Sequence, residues 1–575
     1  MTFTGRPPTA ATEAVRAARD FLLHNTYDYE TVTSQFRWPQ LDEFNFALEW
    51  FDVVAGEHPD RTAVTIVDAD LRAEHHTYGE LSRRSDQVAN WLTGLGMKRG
   101  DHMIVMLNNT IEIWEILLGL TKIGAVAIPS STLLSEHDLE SRVDRGGASY
   151  TIAPDMLAAK FLGIPETVTK IAVGPTTPDD WVNFADSHNA PEGFTPDGPT
   201  PADSTSLLYF TSGTTAIPKL VRHTQVSYPV GHLSTMWWLG VRPGDVHLNI
   251  SSPGWGKHAW SNFYSPFLAQ ATVFIFNYAR FDASTLMQIM DTYEVSSFCA
   301  PPTVWRMLIQ ADLSQLSRPP RELVGAGEPL NPEVIEQVRA AWNNTIRDGY
   351  GQTEMTCSVG NSPGQPVKDG SMGRPMPGYR VVLLDEETGE ERDDEGEICL
   401  DLSHRPLALM GDYYQNPEAT AEACRGGYYH TGDIATKDAD GYLTYVGRAD
   451  DVFKASDYKI SPFELESVLM THPAVAECAV VPSPDPVRLA VPKAYVILAA
   501  DAEPTAETAG SIFAHTMEML AAYARVRIIE FVTELPKTVS AKTRRVELRA
   551  HEAERVASGS TQNQHFLADH RRRRP

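Results

Sequence analysis

Apolar and polar positions follow two rhythms along this chain. From about residue 45 to residue 200, segments of helical period alternate with short apolar runs. Residues 78–92 carry Leu81, Val88, Trp91 and Leu92 near helical spacing, which predicts an amphipathic helix. Residues 103–107 and 124–129 are short apolar runs that predict buried strands, the second stopped by Pro129. Residues 190–203, rich in Pro, Asp and Gly, predict a loop feeding the apolar run at 207–210. The alternation returns over 220–330, with predicted strands at 271–276 and 297–300 around a helix at 283–293. This rhythm implies mainly parallel sheets with helices on their faces. Over 380–447 it gives way to three short strand patterns, at 380–385, 396–402 and 441–446, which predict a small β-rich unit. Past Gly447 a new unit begins, with a predicted helix at 462–470 and strands at 475–481 and 493–498.

The fold class that follows is α/β. Residues 1–447 form a large unit, with an irregular or helical lead-in over 1–40, two mainly parallel sheet-and-helix subdomains and a smaller β-rich subdomain. Residues 448–550 form a small α+β unit. Residues 551–575 read as a flexible tail, polar from about Ser558 and ending in Arg571, Arg572, Arg573 and Arg574. The length, 575 residues, suits several domains. A net charge of −26 disfavours nucleic-acid binding, which needs a basic face. The five cysteines are scattered without a C-x-x-C pair, which argues against a zinc site or disulfide framework. With no signal-peptide pattern at the N-terminus and Glu115 and Lys122 interrupting the longest apolar stretch, the expected location is cytoplasmic.

The strongest chemical signal is the loop after the run at 207–210. It holds Thr211, Ser212, Gly213, Thr214 and Thr215 and closes on Pro218 and Lys219. Small residues admit backbone N–H groups to a phosphate, hydroxyls add donors and the lysine adds charge. The spacing is not that of a Walker loop. Gly325, Ala326, Gly327, Glu328 and Pro329 follow a predicted strand and offer a flat platform for a base. Asp348, Gly349, Tyr350, Gly351, Gln352, Thr353 and Glu354 supply an aromatic to stack on that base, a hydroxyl, and in Glu354 a carboxylate suited to Mg²⁺. Asp433 follows a tight turn and suits ribose hydroxyls.

With these segments in this order, the chain resembles the acyl-adenylate-forming superfamily over roughly residues 45–550. Within it, the chain is most similar to the medium-chain and aromatic acyl-CoA ligases. The resemblance implies that Mg-ATP and a carboxylic acid give an acyl-adenylate and pyrophosphate, and that the acyl group then passes to coenzyme A. It implies that Lys542, with Thr353 and Glu354, serves catalysis, that Arg448 joins Asp433 at the ribose, and that the small domain swings about Asp450. Ser456, Asp457 and Tyr458 would line the CoA tunnel, Lys459 would lie on the phosphate side, and Arg488, Arg525 and Arg527 are candidates for the nucleotide end of CoA. An acyl pocket is expected from Trp255, His258, Trp260, Phe263 and Gly351. Its aromatic wall favours a medium-chain, aryl or polycyclic acid. Trp237 and Trp238 read as core.

The family's usual glycines are replaced by Ala216, Asp457 and Ala541, and its Tyr-Lys-Tyr-Pro region by a stretch containing Ala524. None of these is an adenylation residue, so two acceptors stay open: CoA, or a partner enzyme or carrier that takes the adenylate. A homodimer also stays open. A non-catalytic nucleotide-binding regulator would be expected to lack Lys542, Glu354 or Asp433. A peptide-synthetase module would need a carrier domain for which about 30 residues after Lys542 do not suffice. A luciferase-like oxygenase would share the adenylation site.

Overall fold

Strands buried on both faces are nearly continuous apolar runs, and the two sets of such runs build two large sheets in the computed structural model. It describes residues 5–571 apart from 212–217, 329, 456–457, 486–487, 523 and 539–541. One sheet has eight strands. Thr205–Phe210, Val126–Pro129, His102–Val105, Tyr150–Pro154, Thr169–Val173 and Val182–Asn183 lie side by side and parallel. Leu220–Thr224 and Asp412–Tyr413 extend it antiparallel beyond Thr205–Phe210. The other sheet has nine strands. Its parallel part runs Arg347–Tyr350, Glu322–Ala326, Ser297–Ala300, Val246–Asn249, Thr272–Phe276 and Thr62–Val67.

Helices cover these sheets with the polarity the sequence dictates. Tyr78–Gly94 starts at a capping box between Thr77 and Glu80, and buries Leu81, Val88 and Leu92. Glu112–Ile123 ends on Gly124 at φ 77°, the left-handed stop that glycine adopts freely. One core runs beneath both sheets and includes Trp50, Trp114, Trp237 and Trp238. A second, around Phe298, Trp305 and Trp342, fills the outer face of the nine-stranded sheet. The lead-in is helical at Ala10–His24 and Tyr29–Gln35. The third unit is an antiparallel five-stranded sheet that contains Val381–Leu384, Glu395–Asp401, Tyr428–Lys437 and Leu443–Arg448. Of the five cysteines, only Cys424 is not buried, and all are free. No described helix is long and apolar enough to cross a membrane.

The C-terminal unit has its own core, which includes Leu465, Leu469, Val480, Ile512, Phe513 and Ile529. The first two strands of its sheet are longer than predicted: Val475–Asp485, at the edge, and Leu489–Leu498 form one antiparallel ribbon. Lys493 lies wholly inside, its ammonium shared between Glu530 at 2.8 Å and Glu552. The flexible tail expected over 551–575 is corrected for residues 551–571; Arg572, Arg573 and Arg574 lie outside the described residues. Helix Arg545–Ser558 continues through its first part, Gln564–Phe566 pairs antiparallel with Ile528–Phe531, and Leu567–Arg571 closes over the core. Polar composition suggested a tail, but Leu567 is 2 % exposed and Glu552 1 %, and both anchor the segment.

Leu567→Ala is expected to destabilise the C-terminal unit by about 2–4 kcal/mol, the cost of removing a buried leucine side chain. Urea unfolding followed by limited proteolysis measures it, and an unchanged midpoint would mean that the segment does not dock. A second expectation concerns Asp348, on the strand Arg347–Tyr350. Burial, opposed by the N–H groups of Gly349 and Leu330 and by the charge of Lys257, raises its carboxyl from 3.8 to about 7. A carboxyl that holds its proton more tightly when folded stabilises the fold fully below pH 3.8, and that contribution is lost as pH rises through about 7. Asp348→Asn should remove this loss, so that the variant gains on wild type between pH 4 and pH 7.5 by up to about 4 kcal/mol. Parallel stability profiles for the two proteins would contradict it.

Candidate active site

The parallel strands of the nine-stranded sheet deliver their C-terminal ends to one cleft, the usual place for ligands in open α/β sheets. Glu322–Ala326 ends at Ala326, whose register partner on the next strand is Gly349. The chain then leaves the sheet through Tyr350, Gly351, Gln352, Thr353 and Glu354, all partly exposed. Gly349 and Gly351 are glycine for want of room. A Cβ on Gly349 would meet the Trp238 ring at 2.4 Å, and one on Gly351 would meet the Trp260 ring and the Thr356 carbonyl at 2.4 Å. Trp237 and Trp238 are core, as expected.

Asp433 is the centre of a dense set of donors. It sits 5 % exposed on the strand Tyr428–Lys437. Tyr350 Oη and Gln352 Nε2 each donate to its Oδ2 at 2.6 Å. Tyr445 Oη donates to Oδ1 at 3.2 Å, and Arg448 Nη1 lies 3.5 Å from Oδ1. Arg448 also donates to the Thr431 carbonyl at 3.1 Å and, through Nε, to Asp450 at 3.3 Å. The turn before Asp433 must be glycine: Gly432 has φ 71°, and a Cβ there would lie 2.8 Å from the Arg448 guanidinium. Burial and the neighbouring Asp433 raise the Tyr350 phenol far above its usual range, so it remains a donor.

Glu354 has a separate anchor. Tyr413 Oη donates to Glu354 Oε1 at 2.8 Å, and the Lys219 ammonium stands 4.6 Å above the Tyr413 ring. Burial raises the Glu354 carboxyl, and the Tyr413 bond works against that rise. A carboxylate oxygen in a partly open cleft is the hard donor that Mg²⁺ takes, so Glu354 fits the expected ion. The Thr353 carbonyl accepts from His223 Nε2 at 2.7 Å and from Tyr228 Oη at 3.4 Å. Burial lowers His223 to about 3, so the ring is neutral. A carbonyl can only accept, which places the proton on Nε2 and leaves Nδ1 to accept from Ser227 Oγ at 3.1 Å.

At the base of the predicted phosphate loop, Thr211 N–H donates to the Lys219 carbonyl at 2.8 Å, and Lys219 N–H to Thr211 Oγ1 at 3.2 Å. Ser212, Gly213, Thr214, Thr215 and Ala216 lie outside the described residues, as do Pro329, Ser456, Asp457 and Ala541. Tyr458 and Lys459 belong to the strand Tyr458–Ile460. Gly325 and Ala326 are buried, Gly327 is exposed at φ 110°, and Glu328 pairs with Arg306 at 3.7 Å.

Of the expected pocket wall, Trp255 is partly exposed. Trp260 Nε1 donates to Tyr228 Oη at 2.9 Å, and His258 Nε2 meets Asn109 Oδ1 at 3.0 Å. Burial lowers His258 to about 3. Phe263 packs against Phe46, Tyr264 and Phe267 in the core. A cavity of about 20 Å³ lies behind His258 and Phe263, against Ile113, Leu117 and Tyr209; it has room for about one water.

The structure does not bring Lys542 to this group. Lys542 is exposed, and its N–H donates to Thr538 Oγ1 at 3.1 Å within a tight loop; no described carboxylate pairs with its ammonium. Arg525 donates to the carbonyls of Met517 at 3.1 Å and Leu520 at 3.4 Å, at the end of helix Ala506–Met519. Arg527 donates to the Ala522 carbonyl at 2.9 Å, and Arg488 is exposed near the turn of the long ribbon. Tyr413, His223, Tyr228 and Tyr445 carried no sequence signal; each reaches the cleft from a segment remote from the loop it supports or from a strand read only as β-rich.

Residues 51–414 match the family of AMP-binding enzymes, and residues 464–542 match the AMP-binding enzyme C-terminal domain. The chain is 42 % identical over 541 residues to 4-hydroxybutyrate–CoA ligase 1 of Metallosphaera sedula, covering 92 % of this chain and 94 % of that one. It is 36 % identical over 551 residues to the mitochondrial acyl-coenzyme A synthetase ACSM3 of Mus musculus, covering 92 % and 94 %. Among solved structures, it matches the anthranilate CoA ligase AuaEII in complex with anthranoyl-AMP at TM-score 0.81 and 28 % identity, over 90 % of this chain and 99 % of that one. It matches an acyl-CoA synthetase of Brucella canis at TM-score 0.70 and 33 % identity, over 92 % and 99 %. The chain belongs to the AMP-binding enzyme family and is an AMP-forming acyl-CoA ligase that uses ATP, Mg²⁺ and coenzyme A.

Proposed function

We propose that the group around Asp433 and Glu354 is the adenylation site, and that the acid it activates has an apolar body lying against Trp255, Trp260 and the backbone of Gly351. The observation that carries the reading is the pair of anchored carboxylates. Asp433, gripped by Tyr350, Gln352, Tyr445 and Arg448, is the acceptor for ribose hydroxyls. Glu354, oriented by Tyr413, is the ligand for Mg²⁺, which supplies charge neutralisation on the phosphates when bound. Tyr350 stacks on adenine against Gly325, Ala326 and Gly327. Thr211 and Lys219 hold the phosphate side.

The acid's carboxylate oxygen bonds to the α-phosphorus as the bond to the pyrophosphate oxygen breaks. Both partners are anions, so what the chain contributes is positioning and positive charge. Lys542 supplies that charge when the C-terminal unit turns about Asp450. The CoA thiolate then attacks the acyl carbon and AMP leaves. With Lys542 exposed, the arrangement suits the second half-reaction; Ser456, Asp457 and Tyr458 remain the expected lining of the thiol's path, and Lys459 the expected residue on the phosphate side. Arg488 and Arg527 then offer charge to the nucleotide end of CoA, and Arg525 serves the helix end it caps. Medium-chain, aryl and polycyclic acids are the arms of a substrate screen, with short acids beside them because the cavity behind His258 is small.

Pyrophosphate release over such a panel, with and without CoA, tests this reading. Lys542→Ala is expected to lower release about 10²–10³-fold, the cost of one preorganised stabiliser; release within a few-fold of wild type would refute the lysine's role. Tyr413→Phe is expected to raise the KM for Mg-ATP about 10-fold or more, since hydrogen bonds to charged groups are worth about 1.5–3 kcal/mol. Added Mg²⁺ should recover most of that loss; an unchanged Mg²⁺ dependence would show that Tyr413 does not orient Glu354.

A further inference from the structure

Lys257 puts a charge where the pattern of tryptophans suggests an apolar wall. It lies on the short helix Gly256–Ala259, between Trp255 and Trp260. Its residue is only partly exposed, and its ammonium is turned inward. Nζ donates to the Ala326 carbonyl at 3.1 Å and to the Cys299 thiol. Both acceptors are neutral. The two carboxyl groups whose charge reaches it are engaged elsewhere: Glu328 with Arg306 at 3.7 Å, and Asp348 with the Gly349 N–H at 2.9 Å.

An ammonium has three donors, and those two acceptors leave the third without a described partner. Such burial is costly for a cation, and it pulls the Lys257 pKa below the usual lysine value. The position is also well defined. Ala326 is the register partner of Gly349, so the ammonium stands beside the strand end that leads into Tyr350 and Gly351. The Trp260 ring, pressed against Gly351, fixes the same short segment from the other side. Cys299 belongs to a strand one place further from Tyr350 than Ala326 does. The ammonium thus stands between Trp255 and Trp260 in sequence, beside the wall against which the reading above rests the apolar body of the acid.

We propose that Lys257 is a specificity determinant that donates to an oxygen acceptor, a hydroxyl or a carboxylate, at the end of the acyl chain remote from the reacting carboxylate. This rests on the adenylation reading above and narrows it: the preferred acid has an apolar middle and an oxygen at its far end. A site built to hydrogen-bond a substrate oxygen rejects the analogue that lacks it, because the buried donor is then left unpaired.

The test is pyrophosphate release with CoA present, over two matched sets: butanoate, 4-hydroxybutanoate and butanedioate, then hexanoate, 6-hydroxyhexanoate and hexanedioate. Wild type is expected to favour an oxygen-ended acid over its plain counterpart by about 10²-fold in kcat/KM in at least one set. Lys257→Met should bring that ratio within about 3-fold. Lys257→Gln, which keeps a neutral donor, distinguishes the two acceptors: it should retain a preference for the hydroxy acid and lose one for the diacid. Thermal melting checks that both variants fold. An equal loss for every acid in Lys257→Met would place the lysine on the reacting carboxylate and overturn the proposal, as would an unchanged ratio or a wild-type preference for the plain acids in both sets. Silence of wild type towards every acid with ATP would overturn the adenylation reading itself, and this proposal with it.

Discussion

A carboxylate taken out of water has to be met by donors, and the cleft is organised by how Asp433 meets them. Its donors come from two different sheets. Tyr350 and Gln352 arrive from the end of the nine-stranded sheet, while Tyr445 and Arg448 arrive from the adjacent strand of the five-stranded sheet. Removing one partner of such a group leaves the remainder uncompensated, which is far costlier than the bond's net worth. The relative placement of the two sheets is therefore fixed at the place proposed above for the nucleotide. The same logic applies at Glu354, where the edge strand Asp412–Tyr413 pairs with Leu220–Thr224 and so brings Tyr413 and Lys219 to one carboxylate.

The parallel sheets explain why so many distant segments meet. Each strand ends on the same side, so the loops that follow share a cleft regardless of their separation along the chain. Glycines at 349 and 351 let Trp238 and Trp260, from two separate helices, close on the backbone. Neutral His223 holds the Thr353 carbonyl from beneath. These supports are uncharged or paired, and Lys257 stands out against them.

Much of the architecture was readable from residue order. The βα alternation and the later run of short strands gave the two parallel sheets and the antiparallel one, because buried strands and amphipathic helices have different periods. The loops that border the cleft were recognisable because glycine, hydroxyl residues and single carboxylates recur there in a distinctive order. The supporting residues were not. Tyr413, His223 and Tyr445 act through contacts set by tertiary structure, and a lone tyrosine in an edge strand has no local period to betray it. The C-terminal segment was misread for the opposite reason: its polar composition was plain, while the pairing of Gln564–Phe566 and the anchoring of Leu567 depend on a sheet edge supplied by Ile528–Phe531.

Arg448 carries a consequence of its own. One guanidinium serves Asp433 inside the cleft and Asp450 at the start of the C-terminal unit. The two acids are therefore a single electrostatic assembly with a shared counter-ion. Whatever takes over one of its hydrogen bonds alters the grip on the other, and by thermodynamic reciprocity the position of the small lobe must in turn tune how firmly the cleft holds what lies in it.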